Sequence, residues 1–271
     1  MKTELNIGYL GPAGSNSHEA AELIKAPGEV LVPFSSYGLS SALLERKIAK
    51  AIMPVENSIE GRVRWVLNLL VGSGSDSFAI VGELVWSVRH CLLGFGTKTG
   101  IKTVFSHPQA LGQCRAFLKS LGSIETRDTD STSGAVEIVS RGADKTLAAI
   151  GTKSASGLYG VPIMQEDIGD SKDNKTRFII LGEDATKPTG KDKTSIVFGV
   201  KNESGALHDV TGVLNALDIN MTMIFSEQSP SKKLGEYIFF VDVEGHQEDK
   251  KLSVAIEAMK RKVGFLKMLG S

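Results

Sequence analysis

The sequence predicts an α/β protein followed by a smaller ferredoxin-like module, on the strength of two observations. From residue 5 to about residue 181, short β-branched runs alternate with amphipathic helical patterns. This alternation is typical of a largely parallel sheet covered by helices on both faces. A segment rich in charge, Pro and Gly follows at 182–193, and residues 194–271 then show the order βαββαβ, which is the split βαβ arrangement.

The individual elements follow from apolar runs at strand spacing and from apolar stripes at helix spacing. In the first part the predicted strands are 6–11, 30–34, 50–55, 78–86, 102–107, 123–128, 146–151 and 177–182, and the predicted helices are 17–25, 39–47, 63–71, 109–121 and 133–141. In the last part the predicted strands are 194–200, 219–227, 236–245 and 264–269, and the predicted helices are 205–217 and 251–263.

Composition narrows the class of protein. The chain has 271 residues, of which 41% are hydrophobic and 23% charged, as in a globular protein with two or three cores. Lys plus Arg and Asp plus Glu each number 31, so the overall charge predicts no nucleic-acid or membrane partner. The two cysteines, Cys91 and Cys114, disfavour a disulfide framework. With no apparent signal or membrane segment, we expect a cytoplasmic protein.

Four clusters of small polar residues follow predicted strands and precede predicted helices. They lie at 11–20, 56–63, 106–114 and 128–136. Each supplies Ser, Thr or Asn as a candidate N-cap, and ligands of open α/β sheets bind beyond the carboxyl ends of the strands. Helix N-termini there suit a small anion. The cluster "GPAGSNS" lacks the Lys of a P-loop and the G-x-G-x-x-G spacing, so a carboxylate-bearing metabolite is expected rather than a nucleotide.

A fifth polar segment, "SKDNKTRFIIL" at 171–181, places Thr176 and Arg177 where a loop becomes a buried strand. Thr suits β structure, and the aliphatic part of Arg can cover the end of a strand. Taken alone, the segment is explained as the solvated start of a strand. Its functional interpretation depends on the rest of the chain.

In their order along the chain, these segments resemble the signatures of prephenate dehydratases. The resemblance lies in "GPAGSNSHEAA", "MPVENSIEGRV", "SHPQALGQC", "DSTSGA" and "NKTRF", and "GALHDVTGVLNAL" with "GEYIFFVDVEGH" is similar to the family's C-terminal ACT domain. One departure is Asn16, which stands where the family usually carries a bulky aromatic residue. It puts local packing in question more than chemistry.

The resemblance implies a domain organisation. Residues 1–182 would form a two-lobed catalytic domain like a type II periplasmic binding protein, with lobe 1 at about 1–80 plus 165–182 and lobe 2 at about 81–164. Residues 183–193 would be a linker, and residues 194–271 an ACT regulatory domain. The active site would lie in the cleft between the lobes.

The resemblance also implies the reaction, which is the decarboxylating dehydration of prephenate to phenylpyruvate, water and CO2 in phenylalanine biosynthesis. No cofactor or metal is implied, and the five histidines show no metal-binding spacing. The enzyme needs a hydrogen-bond donor at the departing ring hydroxyl and fixed dipoles for two carboxylates.

By resemblance, Thr176 is the residue whose hydroxyl faces the departing oxygen. Because a threonine hydroxyl is too weak an acid to act free near neutrality, we expect it to donate a hydrogen bond and to transfer a proton only as bond breaking develops negative charge. Arg177 either offers a bidentate fork to a carboxylate or braces the loop. The other matched cleft residues, predicted to bind substrate through neutral donors, are Asn57, Ser58, Ser106, Gln113, Ser131 and Thr132. His107 is expected to bind backbone, and Cys114 to lie in the core.

In the ACT part, the resemblance implies feedback by L-phenylalanine and a homodimer or homotetramer formed through ACT domains. Gly205, Ala206 and Leu207 match the family's Gly-Ala-Leu element. The companion element keeps Ser226 but has Phe225 and Glu227 at its flanking charged positions, which bears on how phenylalanine is bound. The alternative that the ACT domain serves only dimerisation stays open.

Three other functions stay open from the sequence. An arogenate dehydratase performs the same elimination on the transaminated substrate, and the cleft residues do not separate the two. A non-catalytic two-lobed anion-binding module would share the fold. An amino-acid sensor would rest on the ACT part alone and leave the first 180 residues unexplained.

Overall fold

The structure is a computed structural model that describes residues 6–72, 74–183, 186–229 and 236–271. Residues 184 and 185 of the predicted linker lie outside the described residues. The strands are β1 Asn6–Leu10, β2 Val30–Phe34, β3 Lys50–Asn57, β4 Gly61–Arg62, β5 Ala79–Ser87, β6 Cys91–Gly94, β7 Thr103–Ser106, β8 Glu125–Asp128, β9 Leu147–Gly151, β10 Ile163–Gln165, β11 Lys175–Gly182, β12 Lys193–Gly199, β13 Met221–Gln228, β14 Tyr237–Glu244 and β15 Phe265–Gly270. The helices are α1 Asn16–Ile24, α2 Ser36–Leu44, α3 Arg64–Val71, α4 Pro108–Gln113, α5 Arg115–Ser120, α6 Thr132–Gly142, α7 Lys153–Tyr159, α8 Ala206–Ala216 and α9 Lys250–Lys260.

The chain forms two compact units. The first comprises Met1–Arg64 and Glu83–Ile180, and the second comprises Trp65–Gly82 and Leu181–Ser271. The predicted boundaries assign residues 65–80 to the first lobe instead, so the domain limits stay predictions. None of the described helices is long and apolar enough to cross a membrane.

The first unit contains two sheets, as expected for two lobes. In the first lobe the strand order is β2-β1-β3-β11-β5, and β1 runs parallel to both β2 and β3. In the second lobe the order is β10-β6-β9-β7-β8, where β7 is parallel to β8 and β9 while β6 is antiparallel to its neighbours. The chain passes between the lobes after β5 and again between β10 and β11.

Apolar cores fix the helices on these sheets. In the second lobe, one face of the sheet packs against α4 and α5 through Leu111, Cys114 and Leu118, and the other face packs against α6 through Val136 and Val139. In the first lobe, α1 buries Ala20 and Ala21 against β1 and β3. Because the helices are anchored along their length, their N-termini are held at the carboxyl ends of the strands.

The two lobes touch closely at the loop after β1. Thr152 Oγ1 donates to the carbonyl of Gly14 at 2.7 Å, and Ser133 Oγ donates to the carbonyl of Ala13. Gly14 has a φ of 79°, and a Cβ there would lie 2.8 Å from Ser133 Oγ and 3.0 Å from Ala155 Cα. Only glycine satisfies both the backbone conformation and this contact.

The second unit contains an antiparallel sheet in the order β13-β14-β12-β15, and Gly270 of β15 pairs with Ile80. Helices α8 and α9 cover one face of this sheet through a core that includes Val210, Leu214 and Ile256. The predicted βαββαβ order of the ferredoxin-like module is therefore confirmed.

Some elements differ from the prediction for identifiable reasons. The predicted helix 109–121 is two helices, because the backbone turns at Cys114, where φ is −123°. Strand β6 was not predicted because its four residues are buried throughout, so no alternation of apolar and polar side chains marks it. Strand β10, hairpin strand β4 and helix α7 were also not predicted.

Candidate active site

A cavity of about 360 Å³ lies in the first unit between its two lobes; we call it the cleft cavity. Its polar lining residues are Ser15, Asn16, Ser17, Asn57, Glu60, Arg62, His90, His107, Gln109, Gln113, Ser131, Thr132 and Thr176. Five predicted site residues therefore meet at one cavity, namely Asn57, Gln113, Ser131, Thr132 and Thr176. They come from both lobes and from positions up to 119 residues apart in the chain.

Three of the four predicted helix starts border the cleft cavity. Ser15 caps α1 by accepting from the backbone N–H of His18, and Ser131 caps α6 by accepting from that of Gly134. His107 caps α4 through its Nδ1, which accepts from the N–H of Gln109, so its expected bond to backbone is present. The partial positive charges of the α1 and α6 N-termini favour an anion in this cavity.

The fourth cluster, 56–63, precedes a helix as predicted, because α3 begins at Arg64, but Asn57 does not cap that helix. Asn57 Oδ1 accepts from the N–H groups of Ile59 and Glu60 at 2.9 and 3.0 Å, which closes a turn between β3 and the short strand β4. Asparagine favours such turns for the same reason that it caps helices. The sequence therefore located a backbone-binding amide correctly and misassigned the element that it stabilises.

Thr176 faces the cleft cavity and is 8% exposed. Its Oγ1 lies 2.9 Å from Asn57 Nδ2, and the same nitrogen lies 2.9 Å from Asn174 Oδ1. Asn174 is 3% exposed and donates in turn to Gln113 Oε1 at 2.9 Å. Thr176 is thus held at the end of a chain of amide side chains that runs from one lobe to the other.

Arg177 faces the opposite side of β11. Successive side chains of a strand alternate between its faces, and both Thr176 and Phe178 line the cleft cavity whereas Arg177 does not. Its guanidinium pairs with Glu83 of β5, with Nε 2.8 Å from Oε2. Of its two predicted roles, the carboxylate fork does not fit this placement, and the brace does.

Two further predicted residues lie outside the cavity lining. Ser58 Oγ donates to the carbonyl of Asp173 and accepts from the N–H of Lys175, both at 3.0 Å, so it fastens the end of β3 to the start of β11. Ser106 is fully buried and donates to the carbonyl of Ile150 at 2.8 Å. Both hydroxyls have backbone partners, and their expected binding of substrate does not fit these positions.

Sequence reasoning missed three charged or titratable residues at the cavity. Arg62 is the single Lys or Arg on the described lining, and Glu60 is the single carboxylate there. Both belong to the hairpin of β3 and β4, which was not predicted from the sequence. His90 is 4% exposed, and burial lowers the pKa of its imidazole. Its partner Gln113 is 23 residues away in the sequence, so no local pattern marks this histidine.

Cys114 is a core residue, as predicted. It is fully buried in the second lobe, and burial raises the pKa of its thiol to about 12. Across the described residues, no group of three or more His, Cys, Asp or Glu side chains could hold a metal ion.

The predicted effector residues lie at one end of the ACT sheet. Gly205 caps α8 with a φ of 84°, and Ala206 and Leu207 begin that helix, which is the element that follows β12. Ser226 lies near the end of β13. Strands β12 and β13 run in the same direction because each pairs antiparallel with β14, which lies between them, so their carboxyl ends are at the same edge of the sheet. A cavity of about 620 Å³ is present in this unit, but none of the four predicted residues lines it.

The family model described as "PDT: Prephenate dehydratase" matches residues 7–186, which include every residue of the cleft cavity. The chain belongs to the prephenate dehydratase family. A second model, described as "ACT domain", matches residues 194–258. The family assignment made from the sequence segments is therefore confirmed.

Individual proteins agree with this assignment over most of the chain. The prephenate dehydratase of Methanocaldococcus jannaschii is 42% identical over 81% of this chain and 79% of its own. The crystal structure of prephenate dehydratase in complex with L-Phe from Arthrobacter aurescens is 27% identical, with a TM-score of 0.85 over 98% of this chain and 89% of that one. A third protein, described as a novel type of quorum quenching acylase, is 28% identical, with a TM-score of 0.86 over 98% and 96% of the chains.

Proposed function

We propose that the protein converts prephenate into phenylpyruvate, water and CO2 at the cleft cavity. The observation that carries this proposal is the meeting of Thr176 with the capped N-termini of α1 and α6 around one cavity within the matched region. The substrate is a dianion with a ring hydroxyl. Helix N-termini and Arg62 supply positive potential for the carboxylates, and Thr176 supplies a hydroxyl for the departing oxygen.

The chemistry needs little from the protein because aromatisation of the ring drives it. The bond between the ring and its carboxylate breaks, and the electron pair enters the ring as CO2 leaves. The carbon–oxygen bond on the opposite side breaks, and the oxygen takes up one proton to leave as water. Thr176 donates a hydrogen bond to that oxygen as negative charge develops, and solvent replaces the proton consumed.

The neutral amides of the cavity suit a reaction in which a carboxylate must leave. The side chains of Asn57 and Gln113 carry dipoles rather than full charges, so they do not strongly stabilise the ground state of a carboxylate that must leave. Arogenate would undergo the same elimination, and its ammonium group in place of the keto group is the difference that the site must sense.

We further infer that the second unit binds L-phenylalanine and regulates turnover. Support comes from the ACT match at residues 194–258 and from the L-Phe complex of the Arthrobacter enzyme. Assembly into a homodimer or homotetramer through ACT domains belongs to the same proposal. A cytoplasmic location stays a prediction.

The test of catalysis is the appearance of phenylpyruvate, followed by its ultraviolet absorbance, when the purified chain is mixed with prephenate. Thr176→Val serves as the matched negative control, because it removes the hydroxyl and keeps the shape of the side chain. Prephenate binding without product in the unmodified chain would favour the anion-binding module instead.

A further inference from the structure

The amide side chains next to Thr176 have orientations that the structure determines. Asn57 Oδ1 accepts two backbone N–H bonds, from Ile59 and Glu60. Rotating this amide by 180° would point its Nδ2 hydrogens at two N–H donors, which is unfavourable. Asn57 Nδ2 must therefore face its acceptors, which are Asn174 Oδ1 and Thr176 Oγ1, each at 2.9 Å, and the carbonyl of Lys175 at 3.2 Å.

Gln113 is oriented in the same way by an acceptor that cannot donate. Its Nε2 lies 3.0 Å from Oε1 of Glu60, and an ionised carboxylate only accepts hydrogen bonds. Gln113 Oε1 consequently faces Asn174 Nδ2 at 2.9 Å and His90 Nε2 at 2.8 Å. The four residues form a closed ring in which Asn57 donates to Asn174, Asn174 to Gln113, Gln113 to Glu60, and the Glu60 backbone N–H to Asn57.

The orientation of Gln113 determines the tautomer of His90. An amide oxygen accepts only, so His90 Nε2 must carry the hydrogen, and Nδ1 carries a lone pair in the neutral ring. Nδ1 is buried and has no hydrogen-bond partner among the described residues. A second proton on Nδ1 would lack an acceptor there, and burial also lowers the pKa of this histidine, so the ring stays neutral.

The direction of the ring has a consequence for Thr176. Its Oγ1 accepts from Asn57, and within the described part of the chain no acceptor takes the Thr176 hydroxyl hydrogen. That hydrogen is therefore available to the cavity that the side chain lines. A reversed ring would instead make Thr176 the donor to Asn57 and remove the hydrogen from the substrate.

We propose that His90 is a positioning residue for the elimination. Together with Glu60, its Nε2–H holds Gln113 in the orientation that supports the Asn174–Asn57 pair and so leaves the Thr176 hydroxyl hydrogen to the cleft cavity. His90 acts through Gln113, Asn174 and Asn57, and does not itself touch the departing oxygen. The inference rests on the proposed function for its kinetic part only, because the tautomer exists without substrate.

The kinetic test compares two replacements of His90. In His90→Gln, the side-chain amide nitrogen can occupy the place of Nε2 and donate to Gln113. In His90→Leu, a similar volume is filled without a donor. We expect His90→Gln to keep kcat within about threefold and His90→Leu to lose about ten- to a hundredfold, as for a buried acceptor left short of one donor. KM should change little in either variant, since the donor acts on the reacting hydroxyl.

A spectroscopic test uses the unmodified chain. Nitrogen-15 NMR of the five histidines, with His90 assigned by its loss in His90→Gln, should show hydrogen on Nε2 and none on Nδ1 at neutral pH. A hydrogen on Nδ1, or equal kcat in the Leu and Gln variants, would overturn the proposal. If His90→Leu does not fold, the tautomer of His90 observed by NMR is the measurement that decides for or against the proposal. An unmodified chain without turnover would instead count against the proposed function.

Discussion

The guanidinium of Arg177 and the carboxylate of Glu83 pair across β11 and β5, with 2.8 Å between Nε and Oε2. The Arg177 side chain is 15% exposed and that of Glu83 is 37% exposed. A pair with this exposure contributes about 1 kcal/mol to the free energy of unfolding. The pair lies on the face of β11 away from Thr176. This position fits the bracing role predicted for Arg177 and does not fit the binding of a substrate carboxylate.

Arg177→Gln should therefore destabilise the protein by about 1 kcal/mol while KM for prephenate stays within about threefold. Chemical denaturation and steady-state kinetics measure the two quantities. Glu83→Gln is the matched control and should give a similar loss of stability, and the double variant should lose less than the sum. A tenfold rise in KM at unchanged stability would show instead that the guanidinium binds the substrate.

Thr176→Val should lower kcat/KM by about 10²- to 10⁴-fold, which is the usual contribution of proton donation in the transition state. The side chain lines the cavity and accepts one hydrogen bond from Asn57, so thermal unfolding should change only modestly. Thr176→Ser keeps the hydroxyl and should keep most of the activity. Near-normal turnover in the Val variant would remove Thr176 from its predicted role.

Prephenate should be preferred to arogenate by at least about tenfold in kcat/KM, equivalent to about 1.4 kcal/mol. The physical reason is charge, because arogenate carries an additional ammonium, while the described cavity lining offers Arg62 and two helix N-termini, and the carboxylate of Glu60 there is bound by Gln113. Paired assays of both substrates measure the ratio. Arg62→Gln should reduce it, and an unchanged ratio would show that Arg62 does not set the preference.

Saturating L-phenylalanine should change turnover of the unmodified chain, and Gly205→Val should weaken that response without changing basal kcat. Gly205 has a φ of 84°, which a β-branched residue adopts only with strain, and open space surrounds its missing Cβ. Gly205→Asn is the matched control, because Asn tolerates this conformation. Indifference of the unmodified chain to phenylalanine would favour an ACT domain that serves only assembly.

Cys114 should resist alkylation in the folded protein. Its thiol has a pKa raised to about 12 by burial, and the thiolate is the reactive species. At pH 8 the rate of modification by iodoacetamide should rise by at least about a hundredfold on addition of denaturant. Peptide mass spectrometry reports the site, and rapid labelling in the native state would contradict the burial of this residue.

Local pattern was sufficient to predict most elements and part of the site. Ser15 and Ser131 were recognisable because capping depends on residues three positions apart. Glu60 and His90 were not, because their roles arise from Gln113, which lies 53 and 23 residues away along the chain. For Arg177 the sequence identified the residue but not the face of β11 on which its side chain lies.

The contact at Gly14 limits how far the two lobes of the first unit can separate. The carbonyls of Ala13 and Gly14 are bound by hydroxyls of the opposite lobe, and the missing Cβ sets the distance between the lobes at that point. The two lobes cannot move apart at this point without breaking both hydrogen bonds. Gly14→Ala should therefore push the two lobes apart at this point, separate the cavity residues that they contribute and weaken binding of the ligand, even though residue 14 carries no catalytic group.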